Sequence, residues 1–162
     1  MTVAYVKRAE KAFLPREASL AAHALLERVL LEDFSFDVSG RTLMRGEYGK
    51  PYYEDCPLYF NISHSGEYVA LAVSDMPVGI DVQRVTDIPE RIMMRYIRSC
   101  PDDPLSQTML WAEYESIGKC EGVGIPHNCD RDDYYTVSRQ LDGAVLCLCT
   151  VKKEEQICFK HL

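Results

Sequence analysis

The sequence contains no dense run of lysine and arginine, and its formal net charge is −7 at pH 7. Nucleic-acid-binding domains usually carry a basic face, so this composition argues against a nucleic-acid partner. No apolar run approaches the roughly 20 residues that a membrane-spanning helix needs. The N-terminal residues 1–13 also lack the apolar core of a secretory signal. We therefore expect a cytoplasmic protein with no nucleic-acid or membrane partner.

The seven cysteines are odd in number, and their spacing does not fit a disulfide framework. Cys147 and Cys149 are two positions apart, which is not a zinc-knuckle spacing; on a strand, their side chains would lie on one face. We expect reduced thiols, as is usual in the cytoplasm. The composition is otherwise that of a globular protein, and 162 residues suffice for one domain or two small lobes that share a core.

Hydrophobic periodicity predicts an α+β chain in the order helix, strands, helices, strands. A buried stripe marks the first helix, and Asp103-Pro104 has the pattern of an N-cap followed by a first-turn proline. The stretch 37–55, rich in glycine, is expected to form loops. The predicted helices are 16–31, 88–98 and 104–120, and the predicted strands are 58–62, 68–74, 78–82 and two within 134–151.

Two local placements follow from this assignment. Ser63-His64-Ser65-Gly66 falls between two predicted strands, and polar residues on such a connection are more often functional than core residues are. On the last predicted helix, one side is expected to be formed by Leu105, Met109, Ala112 and Ser116.

Two groups of polar residues have a spacing that suits phosphate chemistry. Asp81 and Gln83 are two apart on a predicted strand and would point the same way. Trp111, Glu115 and Lys119 are four apart and would lie on one face of a helix. Oxygen atoms from Asp81, Gln83 and Glu115 would suit Mg²⁺, and Lys119 would serve phosphate charge or proton transfer.

Each of these residues also has a purely structural interpretation. Glu115 and Lys119 have the spacing of an exposed i,i+4 ion pair. Asp81 fits a turn or a cap, Trp111 fits a core anchor, and His64 fits a hydrogen-bonded loop residue. Spacing alone does not choose between the structural and the functional interpretation.

Four sequence strings favour the functional interpretation of these residues. In chain order they are Gly49-Lys50-Pro51, Phe60-Asn61-Ile62-Ser63-His64-Ser65-Gly66, Val78-Gly79-Ile80-Asp81-Val82 and Trp111-Ala112-x-x-Glu115-Ser116-x-x-Lys119. Together they resemble the phosphopantetheinyl transferase superfamily, specifically its surfactin-synthetase-activating type. Any single string is weak evidence, whereas four in order are specific. The resemblance runs from about Leu20 to Ile125, with a weaker echo at the C-terminus.

The resemblance implies a fold of two similar α+β lobes in a pseudo-twofold arrangement, here 1–77 and 78–162, with the site between them. It also implies positions for a substrate and a metal. Contacts to coenzyme A are expected from Lys50, Pro51, Ser63 and His64, a Mg²⁺ site from Asp81, Gln83 and Glu115, and catalytic roles from Glu115 and Lys119.

The implied activity is a Mg²⁺-dependent transfer of 4′-phosphopantetheine from coenzyme A to a serine of an apo acyl or peptidyl carrier protein, with release of 3′,5′-ADP. Glu115, directly or through a bound water, is the expected base, and Lys119 and His64 would stabilise phosphate charge. We expect a monomer whose partners are coenzyme A and the carrier protein.

The sequence departs from the family pattern in three respects. Gln83 stands where the family usually has a third acidic metal ligand, and Tyr114 stands where it has a lysine. The chain is also shorter after Pro126 than its relatives commonly are. For the 3′-phosphate, the only nearby basic candidates are Lys7, Arg8, Lys11 and Arg16. These departures keep two alternatives open: a coenzyme A-binding protein without transferase activity, and an interaction domain in which the motif residues are structural.

Overall fold

The computed structural model describes residues 1–124, 131–151 and 157–162. Cys129 and the end of the resembling stretch at Ile125 lie outside these residues. In chain order, the described elements are β1 (Thr2–Arg8), α1 (Pro15–Phe34), β2 (Leu43–Arg45), β3 (Pro51–Tyr53), β4 (Tyr59–Ser65), β5 (Tyr68–Ser74), β6 (Val78–Arg84), α2 (Glu90–Tyr96), α3 (Pro104–Glu121), β7 (Tyr135–Leu141), β8 (Ala144–Thr150) and β9 (Ile157–His161). This composition of helices and sheets confirms the predicted α+β class.

The strands form two main sheets and one short hairpin. The first sheet has the order β4-β5-β1-β9, in which β1 runs antiparallel to β5 and parallel to β9. The second sheet has the order β6-β8-β7 and is antiparallel throughout. The strands β2 and β3 pair with each other as the hairpin.

The two main sheets are built with the same connectivity. We define the first unit as β1, α1, β4 and β5, and the second unit as β6, α3, β7 and β8. In each unit a strand leads to a helix and then to two further strands, and the last strand lies between the other two. The division into lobes 1–77 and 78–162 stays a prediction; β9, from the C-terminal end, pairs with β1 of the first unit.

Large apolar side chains fill the core of the first unit. The predicted stripe of α1 is buried and packs against Tyr5, Phe60 and Leu71 of the sheet. Burial of each such side chain contributes about 1.5–3 kcal/mol. The helix ends where Ser35 adopts the left-handed conformation (φ 54°). The buried stripe residues of α1 are Ala22, Leu25, Leu26, Val29 and Leu30.

Small side chains form the equivalent contact in the second unit. The helix α3 begins as predicted, because the Asp103 side chain accepts a hydrogen bond from the Ser106 N–H at 2.9 Å. Its buried face includes Thr108, Ala112 and Ser116. The prediction that Met109 shares this face is wrong: Met109 is exposed, since it lies one residue, or about 100°, around the helix from Thr108.

Glycine at position 79 allows β6 to lie directly against α3. A Cβ atom at Gly79 would stand 1.9 Å from the backbone oxygen of Ser116 and 2.5 Å from the backbone nitrogen of Cys120. These are backbone atoms, which cannot rotate away as a side chain can. The motif glycine therefore sets the distance between β6 and the helix face that carries Glu115 and Lys119.

Three further predictions need correction. Ser63 and His64 lie on strand β4 and not on a loop, because pairing with β5 continues to Ser65, opposite Tyr68. The helix predicted at 88–98 is shorter, since Arg98 has a positive φ of 59° that ends it. The strands β1, β2, β3 and β9 were not predicted, and the hairpin β2–β3 lies within the stretch expected to be loop.

Two smaller points concern the described residues. None of their helices is long and apolar enough to cross a membrane. Six of the seven cysteines lie in the described part of the chain, and all six are free thiols. Cys147 and Cys149 are buried on β8, at alternate positions as predicted.

Candidate active site

A row of polar side chains on β4 connects the first unit to the second. Asn61, Ser63 and Ser65 alternate along the strand and face β6. The side-chain oxygens accept backbone N–H hydrogen bonds from Ile80 at 2.9 Å, Val82 at 3.2 Å and Arg84 at 3.1 Å, respectively. These bonds satisfy the amides on this edge of β6, an edge that pairs with no other strand of the described residues. Polar residues thus replace a backbone ladder where the two units meet.

Asp81 lies at the centre of this junction and is only 1% exposed. Its Oδ1 accepts hydrogen bonds from the Ser63 hydroxyl at 2.9 Å and from the Lys119 ammonium at 2.5 Å. The same ammonium donates to Ser63 Oγ at 3.1 Å. Asp81 Oδ2 is buried and has no hydrogen-bond partner within the described residues. An unsatisfied carboxylate oxygen at this depth is costly, and a bound ligand would offset that cost.

Glu115 lies one helical turn before Lys119 and faces the same junction. Burial raises the pKa of the Glu115 carboxyl above its ordinary value, and the negative charge of Asp81 raises it further. The Lys119 charge and a hydrogen bond from Trp111 oppose this rise. A carboxylate with a raised pKa is a stronger base than an ordinary one, so Glu115 is suited to accept a proton.

All eight residues predicted for the site line one cavity of about 420 Å³ between the two units. They are Lys50, Pro51, Ser63, His64, Asp81, Gln83, Glu115 and Lys119. The roles assigned to them stay predictions. None of the four basic residues considered for the 3′-phosphate lines this cavity. Arg8, for example, pairs with Asp142 at 2.8 Å.

Five further lining residues with polar side chains were not predicted for the site: Ser19, His23, Arg45, Tyr48 and Asn61. Ser19 and His23 lie four residues apart on α1 and so share one face of the helix. This polar pair within an otherwise Ala- and Leu-rich helix is a signal that sequence reasoning could have used. Asn61 was part of a motif string, but its bond to the Ile80 amide depends on the packing of β6 and could not be deduced from the sequence.

Lys50 lines the cavity, but its ammonium group is directed to the protein backbone. Its Nζ donates to the carbonyl oxygens of Val78 at 3.0 Å and Cys120 at 3.1 Å. Burial lowers the pKa of Lys50. The side chain therefore ties the hairpin to the start of β6 and the end of α3. In contrast, His64 is exposed at the rim, where it can meet a ligand directly.

Tyr114, where the resemblance leads us to expect a lysine, belongs to an aromatic cluster beside the cavity. Its ring lies 5.9 Å from that of Trp111 and 6.1 Å from that of Tyr96, measured between centroids. Tyr114 is not among the residues that line the cavity. The cluster supports Trp111, which in turn is hydrogen-bonded to Glu115.

The residues at the junction partly match the chemistry of a Mg²⁺ site. Within the described residues, no group of three or more His, Cys, Asp or Glu side chains is placed to hold a metal ion. Asp81 and Glu115 supply two carboxylates, and Gln83 supplies a neutral amide oxygen at the same cavity. Mg²⁺ is commonly held by one or two carboxylates together with substrate phosphates and water. The free Oδ2 of Asp81 fits such a donor set.

Comparison with known proteins finds relatives that share one activity in their names. No family model matches the chain. It is 32% identical over 138 residues to the 4′-phosphopantetheinyl transferase Sfp of Bacillus subtilis, covering 78% of this chain and 60% of that protein. It is 36% identical over 78 residues to the 4′-phosphopantetheinyl transferase gsp of Aneurinibacillus migulanus, covering 48% of this chain and 32% of that protein.

A third relative comes from an animal. The L-aminoadipate-semialdehyde dehydrogenase-phosphopantetheinyl transferase of Xenopus laevis is 30% identical over 144 residues, which cover 73% of this chain and 47% of that protein. The chain belongs to the phosphopantetheinyl transferase superfamily, and within it to the type represented by Sfp. It spans at most 60% of the length of these three relatives.

Proposed function

We propose that the protein transfers the 4′-phosphopantetheine group of coenzyme A to a serine of an apo acyl or peptidyl carrier protein, in a Mg²⁺-dependent reaction that releases 3′,5′-ADP. The observation that carries the proposal is the cavity between the two units, where residues from four separate sequence strings surround the buried Asp81. The names of the relatives support the same activity.

Glu115 is the proposed general base. The carrier serine attacks the β-phosphorus of coenzyme A through its hydroxyl oxygen, and the bond from that phosphorus to the 3′,5′-ADP oxygen breaks. The serine proton passes to the Glu115 carboxylate, which lines the same cavity. Trp111 holds the carboxylate in place through a hydrogen bond from its indole N–H.

Two lining residues are proposed to hold the phosphates. Lys119 lies at the same junction as Glu115 and supplies a positive charge for the reacting phosphate, while His64 donates from the rim. Asp81, Gln83 and Glu115 would hold Mg²⁺, which supplies charge neutralisation for the diphosphate when it is bound. Ser63 orients Asp81 through the 2.9 Å hydrogen bond to Oδ1.

The proposed fold is the two-lobed one, with the lobes related by a pseudo-twofold axis. Support comes from the shared connectivity of the two units and from the position of the cavity between them. Clefts between lobes are common ligand sites. The net charge of −7 favours a carrier protein whose docking face is neutral or apolar over a strongly acidic one. The monomeric state and the cytoplasmic location stay predictions.

The proposal is tested by intact mass spectrometry of a panel of apo carrier proteins incubated with the protein, coenzyme A and Mg²⁺. We expect a mass increase of one phosphopantetheine group on at least one carrier. The increase should be absent when the carrier serine is replaced by alanine. Glu115→Gln should lower the transfer rate by about 10²–10⁴-fold, because it removes the proposed base.

A near-normal rate for Glu115→Gln would overturn the mechanism, since an amide cannot accept the proton. A matched control is Glu121→Gln at the end of the same helix, which is not among the lining residues and should transfer normally. Circular dichroism of both variants would show that the helix is retained.

A second function, coenzyme A binding without transfer, is favoured by two observations. The third metal position is the uncharged Gln83, and Tyr114 is part of the aromatic cluster instead of adding a positive charge. Calorimetric titration with coenzyme A, run beside the transfer assay, separates the two functions. Binding without any product would support this second function, and the absence of Mg²⁺-dependent binding would indicate an interaction domain.

A further inference from the structure

The Lys119 ammonium lies against Asp81, the carboxylate that is proposed to hold the cation. It lies 2.5 Å from Asp81 Oδ1 and 3.1 Å from Ser63 Oγ. Asp81 is 1% exposed, so water cannot offset its charge, and the ammonium is its ion-pair partner. Removing the partner of a buried charge is strongly unfavourable. In the ligand-free protein, Lys119 is therefore an internal counter-ion for Asp81.

We propose that Lys119 competes with the divalent cation for Asp81, and that a phosphate group of the substrate relieves the competition by drawing the ammonium away. This proposal rests on the metal site of the proposed function. Two positive charges beside one carboxylate repel each other, and the repulsion is strong where water is excluded. A phosphate placed in the cavity offers Lys119 a second anionic partner, after which Asp81 is free to bind the cation.

The other groups at the junction are arranged in a way that supports this exchange. Lys119 is 28% exposed at its side chain, so it can swing towards the cavity, whereas Asp81 is fixed in the strand by burial and by Ser63. Asp81 Oδ2 has no partner in the described residues, so one oxygen is already unsatisfied while the lysine holds the other.

A consequence is that the cation and the phosphate-bearing substrate bind cooperatively. Coupling between two ligands is reciprocal, so coenzyme A would raise the affinity for the cation as much as the cation raises the affinity for coenzyme A. Without Lys119, the free protein would bind the cation well on its own. The lysine that serves the phosphate during transfer would thus weaken cation binding before the substrate arrives.

The test measures cation binding in the absence of coenzyme A and carrier protein. Mn²⁺ serves as the probe, because its free fraction is read by electron paramagnetic resonance, and Mg²⁺ is titrated in competition. We expect Lys119→Met to bind Mn²⁺ at least about fivefold more tightly than the wild type, the lower end of typical coupling between sites. Lys119→Arg keeps the charge and should bind Mn²⁺ as weakly as the wild type.

Lys160→Met is the matched control. Its ammonium pairs with Asp33 Oδ2 at 2.6 Å, on β9 and away from the cavity. The Lys160→Met substitution removes the same charge from the protein without changing the proposed site. The affinity of this variant for Mn²⁺ should therefore equal that of the wild type. An equal rise in both methionine variants would show a general charge effect and overturn the proposal.

Lys119→Met leaves Asp81 without its partner and is expected to be less stable. Lys119→Gln, which replaces the ammonium with a neutral hydrogen-bond donor, is a milder second variant, and thermal unfolding with and without Mg²⁺ is a second measurement. A ligand that binds only the folded state raises its melting temperature, so Mg²⁺ should stabilise Lys119→Gln more than the wild type.

Weaker or unchanged Mn²⁺ binding in both Lys119→Met and Lys119→Gln would overturn the proposal, because the lysine would then not oppose the cation. The outcome is separable from the proposed transfer activity. If the variants bind Mn²⁺ more tightly but the wild type modifies no carrier, the competition stands and the transferase function fails. If the wild type transfers the group and the variants bind Mn²⁺ no more tightly than it does, the transferase function stands and the competition fails.

Discussion

The first and second units share a connectivity, but they bring the helix to the sheet with side chains of different size. In the first unit, Leu26 and Leu30 of α1 fill the space above Tyr5 and the neighbouring strands. In the second unit, α3 meets β6 through Gly79 and Ser116, with almost no side chain between the two backbones. The first contact buries much apolar surface, and the second fixes a short distance.

This difference separates stability from the geometry of the site. Glu115 and Lys119 have fixed positions on α3, and Asp81 is two residues after Gly79 on β6. A helix held close to this strand can place the Lys119 ammonium 2.5 Å from Asp81 Oδ1. A larger residue at the contact would push the helix, and both of its functional side chains, away from Asp81. We infer that the helix–sheet contact of the first unit mainly provides core stability and that of the second mainly provides positioning.

The largest effect is expected from Gly79→Ala, which breaks the close contact of the second unit. The new Cβ would overlap the Ser116 backbone oxygen, so the loss in free energy of unfolding should exceed the about 1–3 kcal/mol typical of overpacking. Transfer should be lost as well. Gly46→Ala is the control, because its nearest neighbour is the Lys50 backbone oxygen at an ordinary 3.7 Å.

Urea unfolding and the transfer assay measure the two effects. If Gly79→Ala and Gly46→Ala unfold at the same urea concentration, the close contact is not required and the contrast between the units is wrong. A stable but inactive Gly79→Ala protein would strengthen the contrast between the units, because the contact would then serve only to position the functional side chains of α3.

The next largest effect is expected from Leu26→Ala in the first unit. Leu26 is fully buried, and truncation of a buried leucine costs about 2–5 kcal/mol. Leu20→Ala on the same helix is the control, because Leu20 is 69% exposed and should change stability by less than about 0.5 kcal/mol. Under conditions where Leu26→Ala remains folded, its transfer rate should match that of the wild type. A large fall in rate without unfolding would contradict the division of labour between the units.

Sequence reasoning located the parts of the fold that depend on neighbouring residues. The stripe of α1 and the start of α3 at Asp103 follow from local periodicity and capping, and the structure confirms both. The strands β1 and β9 were not found, because their pairing is non-local: Thr2 pairs with Ser74 and with Ile157. Nothing in a short window of sequence indicates such a partner.

The candidate site shows the same limit. The structure places all eight predicted site residues around one cavity, although they are far apart in the chain. The spacing from Asp81 indicated Gln83, and the motif strings identified the other seven. They did not indicate that Lys119 pairs with Asp81 or that Lys50 bonds to two backbone carbonyls, because both contacts depend on how the units pack. The sequence identified Gly79 only as part of a motif string. The structure shows why glycine is needed there: a Cβ atom would overlap the Ser116 backbone.

A smaller effect is expected from His64→Ala, which tests the first unit as a source of ligand contacts. His64 is exposed at the rim of the cavity, so its removal should leave stability unchanged. The free energy of coenzyme A binding, measured by calorimetry, should become less favourable by about 1–3 kcal/mol, the scale of a lost charge-assisted hydrogen bond. His161→Ala, an exposed histidine on β9, is the control. Unchanged affinity with intact folding would remove His64 from the site.

The smallest effect is expected from Gln83→Glu, which adds a negative charge to the second unit. Gln83 lines the cavity two residues after Asp81, on the same side of β6. A carboxylate there would restore a third negative charge near the proposed cation, an interaction of about 1 kcal/mol in a largely solvated setting. We therefore expect the Mg²⁺ concentration for half-maximal transfer to fall roughly fivefold, since 1.4 kcal/mol corresponds to a factor of ten.

Gln140→Glu separates a direct effect at the site from a general effect of charge. Gln83 and Gln140 both pair with Val145 of β8, so they lie on one face of the second sheet with a single strand between them. Gln140 is exposed and does not line the cavity. A fall in the Mg²⁺ requirement for Gln83→Glu alone supports direct coordination, because only that position reaches the cation. Equal falls in both variants would indicate long-range attraction, which added salt should screen. If neither variant shifts the requirement, position 83 acts through packing or water, and Asp81 and Glu115 alone provide the protein carboxylates of the site.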